Sequence, residues 1–233
     1  MDTIELRRIA RIENDNWWYR ERREIISAEL LRFSMPGAAV DIGAAAGAAS
    51  RVLAEHGWDA TAIDLSPEAV ALARGHGVDA HEGDARYLPL PPERFDLALA
   101  LDVLEYIEDD ARAAAEIARV LKPGGTALLS VPCDMAMWSA HDVALGRVRR
   151  YSRPGFVELV EGAGLVLERV WSRGVLLRPF LRRLRHRTVR REDLAPLRPA
   201  VNEALRVAAV LERRLPICGW PGVELVARAR RPG

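Results

Sequence analysis

The sequence predicts an α/β fold built on a doubly wound, parallel sheet, and three observations carry that prediction. Strand-like apolar runs alternate with helical segments along most of the chain, which implies right-handed crossovers between parallel strands. The run FDLALAL at 95–101 is continuously apolar, as a strand covered on both faces must be. Asp41, Asp64, Asp84 and Asp102 each fall at or just after the end of a predicted strand. Open sheets of this kind bind ligands beyond the carboxyl ends of their strands, so these four acids mark one edge as the site.

The elements follow in order. Residues 4–33 have helical periodicity around WWYRERR, and Pro36-Gly37 breaks the chain before the first strand, 38–42. A helix over 47–56, strand 59–63, helix 67–75 and strand 77–81 come next, with Ser66 as cap and Pro67 in the first turn of the second helix. Strand 95–101 leads to a helix over 109–121, the turn Lys122-Pro123-Gly124-Gly125 and strand 126–131. A helix over 153–163 stops at Gly164, strand 165–171 follows, and the last strand is placed at 222–230. The stretch between these last two strands, roughly fifty residues, is too long for a structureless loop. Residues 176–191 and 199–214 both read as helices within it.

Composition narrows the class. The 233 residues suit one domain with appendages, and a net charge of +1 indicates no global polyanion partner, so nucleic acid is not expected. Cys133 and Cys218 offer neither a disulfide framework nor a C-x-x-C pair, which fits a reducing cytoplasm. The charged start MDTIELRRIARIENDNWW is neither a secretory signal nor a membrane anchor. His56, His76 and His81 are scattered, and no spacing suggests a metal site.

The segment AAVDIGAAAG at 38–47 is the most informative in the chain. Gly43 and Gly47 lack side chains, so the turn after the strand can bend tightly and a ligand can approach the backbone. The spacing matches neither G-x-G-x-x-G nor a phosphate loop, and without a following Lys a triphosphate is not expected. Asp64, at the end of the second strand, is placed to accept hydrogen bonds from a ribose diol.

Five stretches in order, VDIGAAAG, AIDLS, EGDARYLPL, LDVLEYIEDD and LKPGG, resemble the signatures of the class I S-adenosylmethionine (SAM) dependent methyltransferases. The resemblance implies a Rossmann-like seven-stranded sheet, mostly parallel with an antiparallel last strand. It also implies an N-terminal helical lid (1–35), a SAM-binding core (36–173), a helical insertion (174–221) and a last strand with tail (222–233). Ala45 stands at the family's middle glycine. The resemblance assigns cofactor contacts to Asp41, Gly43, Ala45, Gly47, Asp64, Leu65, Asp84, Ala85, Leu101, Asp102 and Val103. Asp64 would take the ribose and Asp84 the adenine amino group. Trp17-Trp18-Tyr19-Arg20 and Arg23 resemble a segment that folds over the cofactor, so Trp18 is expected there and Arg23 or Arg20 is expected to pair with the methionine carboxylate. A nicotinamide dehydrogenase shares the turn and the acid but lacks support from the missing third glycine position.

The same resemblance covers Trp138, Ser139, Asp142, Gly146, Arg149, Arg150 and Tyr151, with Tyr106 and Arg147 standing where relatives carry His. His141, beside Asp142 and with a pKa near neutrality, is the first candidate base; Tyr151 is the second, and Tyr106 either assists or packs beside the cofactor. Trp138, Arg147, Arg149 and Arg150 are assigned to the acceptor, and with Arg153 they suggest an anionic group on it. A solvated rim that pairs with neighbouring acids is the other reading of the same arginines. The expected function is methyl transfer to a small molecule, a natural-product or sugar intermediate, by a monomer or homodimer. The alternative is a SAM-binding regulatory or partner subunit. The Arg-rich stretch 176–191 would cover the acceptor pocket, lie on an anionic membrane surface or form a dimer contact.

Overall fold

The computed structural model describes residue 6 and residues 10–179, 182–183 and 198–233. Helix α1 (Trp17–Leu30) is followed by β1 (Ala38–Ile42), α2 (Ala48–Glu55), β2 (Asp59–Asp64), α3 (Pro67–Gly75), β3 (Asp79–Glu82) and β4 (Phe95–Leu101). Then come α4 (Asp110–Val120), β5 (Leu121–Pro132), α5 (Ala140–Ala144), α6 (Arg153–Gly162), β6 (Val166–Arg173), α7 (Pro199–Arg214) and β7 (Glu224–Arg230). Short 3-10 turns cover Leu104–Tyr106 and Met135–Met137.

The seven strands form one sheet in the order β3-β2-β1-β4-β5-β7-β6. All neighbours from β3 to β5 pair in parallel, while β7 runs antiparallel to both β5 and β6. The pleat sends alternate residues to opposite faces, and two core clusters result. Val40, Ile42, Ala98, Ala100 and Leu129 pack with Ile117 of α4 and Phe156 of α6 on one face. Ala39, Leu97, Leu99 and Leu128 pack with Ile26 of α1 and Leu53 of α2 on the other. Covering both faces is why FDLALAL needs no polar side.

Several boundaries differ from the sequence expectation for identifiable reasons. The helix expected over 4–33 is broken by a turn at 13–15, and α1 restarts where the Asn16 side chain accepts from the Trp18 N–H. Gly77, at φ +79, completes the turn after α3, so β3 begins at Asp79 rather than 77. The Lys122–Gly125 turn is absorbed into β5 as an irregularity, since Phe95 pairs with Leu121 and Leu97 with Thr126. The last strand starts at Glu224, not 222. The Arg-rich helix expected over 176–191 lies for the most part outside the described residues.

Helix α7 packs on α1: the Trp17 N–H donates to Asn202 Oδ1 at 2.8 Å, and Trp17 buries with Leu177 and Ala209. No helix among the described residues is long and apolar enough to cross a membrane.

Candidate active site

The carboxyl edge of β1, β2, β3 and β4 gathers the motif acids. Gly43 and Gly47 take φ of +72° and +82°, the left-handed region that glycine enters without a Cβ penalty. A Cβ on Gly43 would sit 2.5 Å from Val103 Cγ2, so the first glycine answers to packing as well as to conformation. Ala45 is also left-handed, at φ +48°, and carries strain that a glycine would avoid.

The turn's own amides are largely used within the fold. Gly43 and Ala44 donate to the Ile63 carbonyl, Gly47 to the Ala44 carbonyl, and Ala45 to Asp64 Oδ2 at 2.9 Å. The N–H of Ser66 donates to Asp64 Oδ1, also at 2.9 Å. Two backbone donors therefore lock the Asp64 carboxylate, and each oxygen keeps a lone pair for a ribose diol. Leu65 beside it is 65% exposed, an apolar surface of the kind an adenine ring covers. Asp84 is gripped by Arg86 through its N–H, Nε and Nη2, and these bonds hold its carboxyl below the usual range. Ala85, Leu101 and Val103 are half-buried along the same edge. The residues present thus fit SAM: a fixed diol acceptor, an apolar neighbour, and a turn with no side chain at its closest point.

Asp41 has a different place. It is buried, accepts from Ser50 Oγ at 2.7 Å, and burial pushes its pKa up to about 6. Its role in the structure is to tie β1 to α2, and the expected attraction for the cofactor's positive charges is correspondingly weakened.

Beyond Asp102, at φ +55°, a second cluster forms from side chains distant in sequence. Arg22 of α1 forms ion pairs with Asp102 and with Glu224 of β7, and Ser130 Oγ of β5 donates to Asp102 at 3.1 Å. Burial alone would push the Asp102 carboxyl up, but Arg22 and Arg147 bring it down to about 2. Arg147 Nε lies 3.5 Å from Glu105 Oε1, and its guanidinium sits 5.9 Å from the Tyr106 ring centre. Glu105 is fully buried, and that burial, reinforced by Asp102, raises its pKa to about 8. Burial likewise raises Tyr106 to about 12.

Arg22 is the arginine that the sequence reading missed. Arg23 instead donates to the carbonyls of Glu13 and Asn14 and closes the turn before α1, while its neighbour, 100° further round the helix, reaches Asp102. The Trp18 ring lies 4.9 Å from the guanidinium of Arg173, which itself pairs with Glu224. There it borders a cavity of about 260 Å³ between α1, β6 and α7, lined by Trp17, Trp171, Arg173, Leu177 and Arg213 among others.

The acceptor-side assignments divide in the same way. Tyr151 is buried, its hydroxyl donating to Asp110 Oδ2 at 2.6 Å with the Leu104 carbonyl also within reach, and burial with Asp110 raises its phenol pKa. Asp142, expected to orient His141, gives its oxygens to Ser139, Arg147 and Arg150. His141 is half-buried on α5 beside it. Arg150 is fully enclosed between Asp142 and the Cys133 carbonyl, Arg149 pairs with Asp110, and Arg153 bonds the Val170 carbonyl and Ser172. Arg147, Arg149 and Arg150 thus pair with acids of the fold, the second reading of these arginines, while Arg153 bonds only carbonyls and a hydroxyl. Trp138 follows the Met135–Met137 turn, its N–H bonded to the Met135 carbonyl.

Comparison with known proteins gives the same answer as the geometry. Residues 40–129 match the family model of a methyltransferase domain, a span from β1 into β5 that holds all four motif acids. Over this span the chain is similar to SAM-dependent methyltransferases. It is 36% identical over 107 residues to a ubiquinone biosynthesis O-methyltransferase of Xanthomonas campestris, covering 42% of this chain and 45% of that one. A chloroplastic 2-methyl-6-phytyl-1,4-hydroquinone methyltransferase of rice is 30% identical over 176 residues, 70% of this chain and 53% of the relative. The chain spans about half the length of the curated relatives it matches. Among solved structures, a SAM-dependent methyltransferase from Mesorhizobium loti superposes with a TM-score of 0.61 at 22% identity, over 88% of this chain and 96% of that one. A phosphoethanolamine N-methyltransferase of Haemonchus contortus, solved with SAM, gives 0.62 at 21% identity, over 91% of this chain and 52% of that one. The matched span holds Asp64 and Asp84, and the polar cluster around Asp102 lies beside them.

Proposed function

We propose that the protein transfers a methyl group from SAM to a small-molecule acceptor in a biosynthetic reaction. The observation that carries the reading is the Asp64 carboxylate, fixed by the Ala45 and Ser66 amides at the end of β2. When bound, SAM supplies a methyl group on a positively charged sulfur, so the protein's main work is alignment and exclusion of water.

Asp64 holds the ribose, Leu65 and Asp84 meet the adenine, and the glycine turn admits the amino-acid portion. Helix α1 covers this edge, its Arg22 bridging Asp102 and Glu224 across the sheet. The cavity of about 260 Å³ between α1, β6 and α7, walled by Trp17, Trp18 and Trp171, has the size of a small organic acceptor and supports that class over a macromolecule. The curated relatives act in ubiquinone biosynthesis and on a hydroquinone by their names, which favours a ring-bearing acceptor.

The test is direct. Calorimetry with SAM measures binding to the wild type, and formation of S-adenosylhomocysteine with a panel of small acceptors measures transfer. Micromolar binding with acceptor-dependent product supports the reading; no binding refutes it, and binding without transfer to any acceptor identifies a regulatory subunit.

A further inference from the structure

Helix α7 is apolar on two faces, and the fold covers one of them. On the inner face Ala209 is buried with Trp17 and Leu177, and Leu205 and Ala208 pack against them. On the outer face Ala200, Ala204, Val207 and Leu211 recur at intervals of four, three and four residues, and Leu215 continues the row just past the helix end. All five are exposed, Val207 by 45%, Leu211 by 51% and Leu215 by 45%. This alternation of fours and threes is the seam by which one helix packs along another, and an apolar face of that kind is normally covered.

The charges beside the seam specify its cover. Glu203 flanks its N-terminal half and Arg214 its C-terminal end. Arg206 pairs with Glu203 and Arg213 with Glu21 of α1, whereas Arg214 has no acid within ion-pair distance among the described residues. An anionic lipid surface would suit Arg214 and repel Glu203. A second copy of the chain laid antiparallel suits both. With a two-fold axis between Val207 and Leu211, each Val207 meets Leu211 of the other copy, and each Glu203 falls within one residue of the other copy's Arg214. The small Ala204 leaves room for the arginine stem, and the Glu203 carboxylate has acceptor sites for this arginine as well as for Arg206. We propose that the outer face of α7 is a homodimer interface, formed by an antiparallel α7 pair with Val207 and Leu211 at its centre and a Glu203–Arg214 ion pair at each end.

The size of the face sets the strength of the association. A helix of 16 residues is about 24 Å long, and a single pair of such helices covers less than the ~800 Å² per partner of a standard interface. The expected dimer is accordingly weak, with a Kd on the order of 10 µM. Helix α7 also walls the cavity of about 260 Å³ and packs on α1, so the second copy supports that wall from outside without entering the cavity. Association of this kind needs neither SAM nor an acceptor.

Sedimentation velocity measures the association of wild type, Leu211→Asp, Glu203→Arg and Arg214→Glu, with circular dichroism and the urea midpoint checking that each variant is folded. Wild type should pass from monomer to dimer between about 1 and about 100 µM. Leu211→Asp, which sets a carboxylate of each copy at the centre of the interface, should raise Kd by about 100-fold or more. Each single charge reversal opposes like charges at both ends of the pair and should raise Kd by about tenfold. Mixed in equal amounts, Glu203→Arg and Arg214→Glu should recover dimers of wild-type affinity, because every opposed pair is then of opposite sign. A folding defect in either variant cannot produce that recovery. A wild type that stays monomeric at about 100 µM, a dimer that survives Leu211→Asp, or a mixture no tighter than its components would each overturn the assignment. So would a monomer that pellets with phosphatidylglycerol vesicles and loses that binding in Leu211→Asp, which gives the face to a lipid surface instead.

Discussion

The edge around Asp64 and Asp84 and the polar cluster around Asp102 are neighbours built by opposite means. At the first, Asp64 is held by amides of residues 45 and 66, and Asp84 by Arg86 two residues away. At the second, Asp102 is held by Arg22, 80 residues earlier, and by Ser130, 28 later, while Glu105 meets Arg147 from another loop. Local bonds pre-form a site whatever the appendages do. Long-range pairs make the other site depend on whether α1 is seated.

The sharpest way to break the cofactor side is through packing. Gly43→Ala forces a Cβ to within 2.5 Å of Val103 at φ +72°, combining backbone strain with overpacking, and should cost about 4 kcal/mol in urea unfolding. In the Asp102 cluster, Arg22→Ala removes the ion-pair partner of Asp102, Glu224 keeping Arg173, and should destabilise by about 3 kcal/mol. Arg23→Ala, which loses only two bonds to carbonyls, should cost about 1 kcal/mol; equal effects would erase the distinction between the neighbouring arginines.

Asp64→Ala should weaken SAM binding on the order of 100-fold, about 2.7 kcal/mol, with a smaller loss of stability. A loss confined to stability would show that the carboxylate only organises the turn. The pH response separates the two regions further. Glu105 has its folded pKa raised from 4.5 to about 8, so the stability it contributes is complete below pH 4.5 and declines as pH rises through 8. Asp102, drawn down to about 2, contributes stability above its unfolded pKa near 3.8 that fades as pH falls toward 2. The smallest effect should come from Ala45→Gly, which relieves the strain at φ +48° and should stabilise by about 0.5 kcal/mol with SAM affinity retained.

Much of the cofactor edge was legible in the sequence because its determinants are near neighbours: strand, turn, acid and helix start recur within a few residues. The setting of Asp41 was less legible. Its position after an apolar run resembles that of Asp64, and nothing local reveals that Ser50 of the next helix bonds it in a buried pocket. The arginines after 146 read as a basic patch in the linear chain, yet Asp142 of α5 pairs with Arg147 and Arg150, and Asp110 of α4 with Arg149. Arg22 and Arg23 could not be told apart by spacing alone, since which side of a helix faces the sheet is decided by what α1 packs against.

The sequence by itself determined the alternation of strands and helices, the glycine turn and the acid that marks the cofactor edge, since hydrophobic periodicity and backbone conformation act over a few residues. Only the tertiary structure decided which arginine enters the site, which acids become structural and which face of α7 is left uncovered. Charge pairing and burial depend on residues brought together from distant parts of the chain.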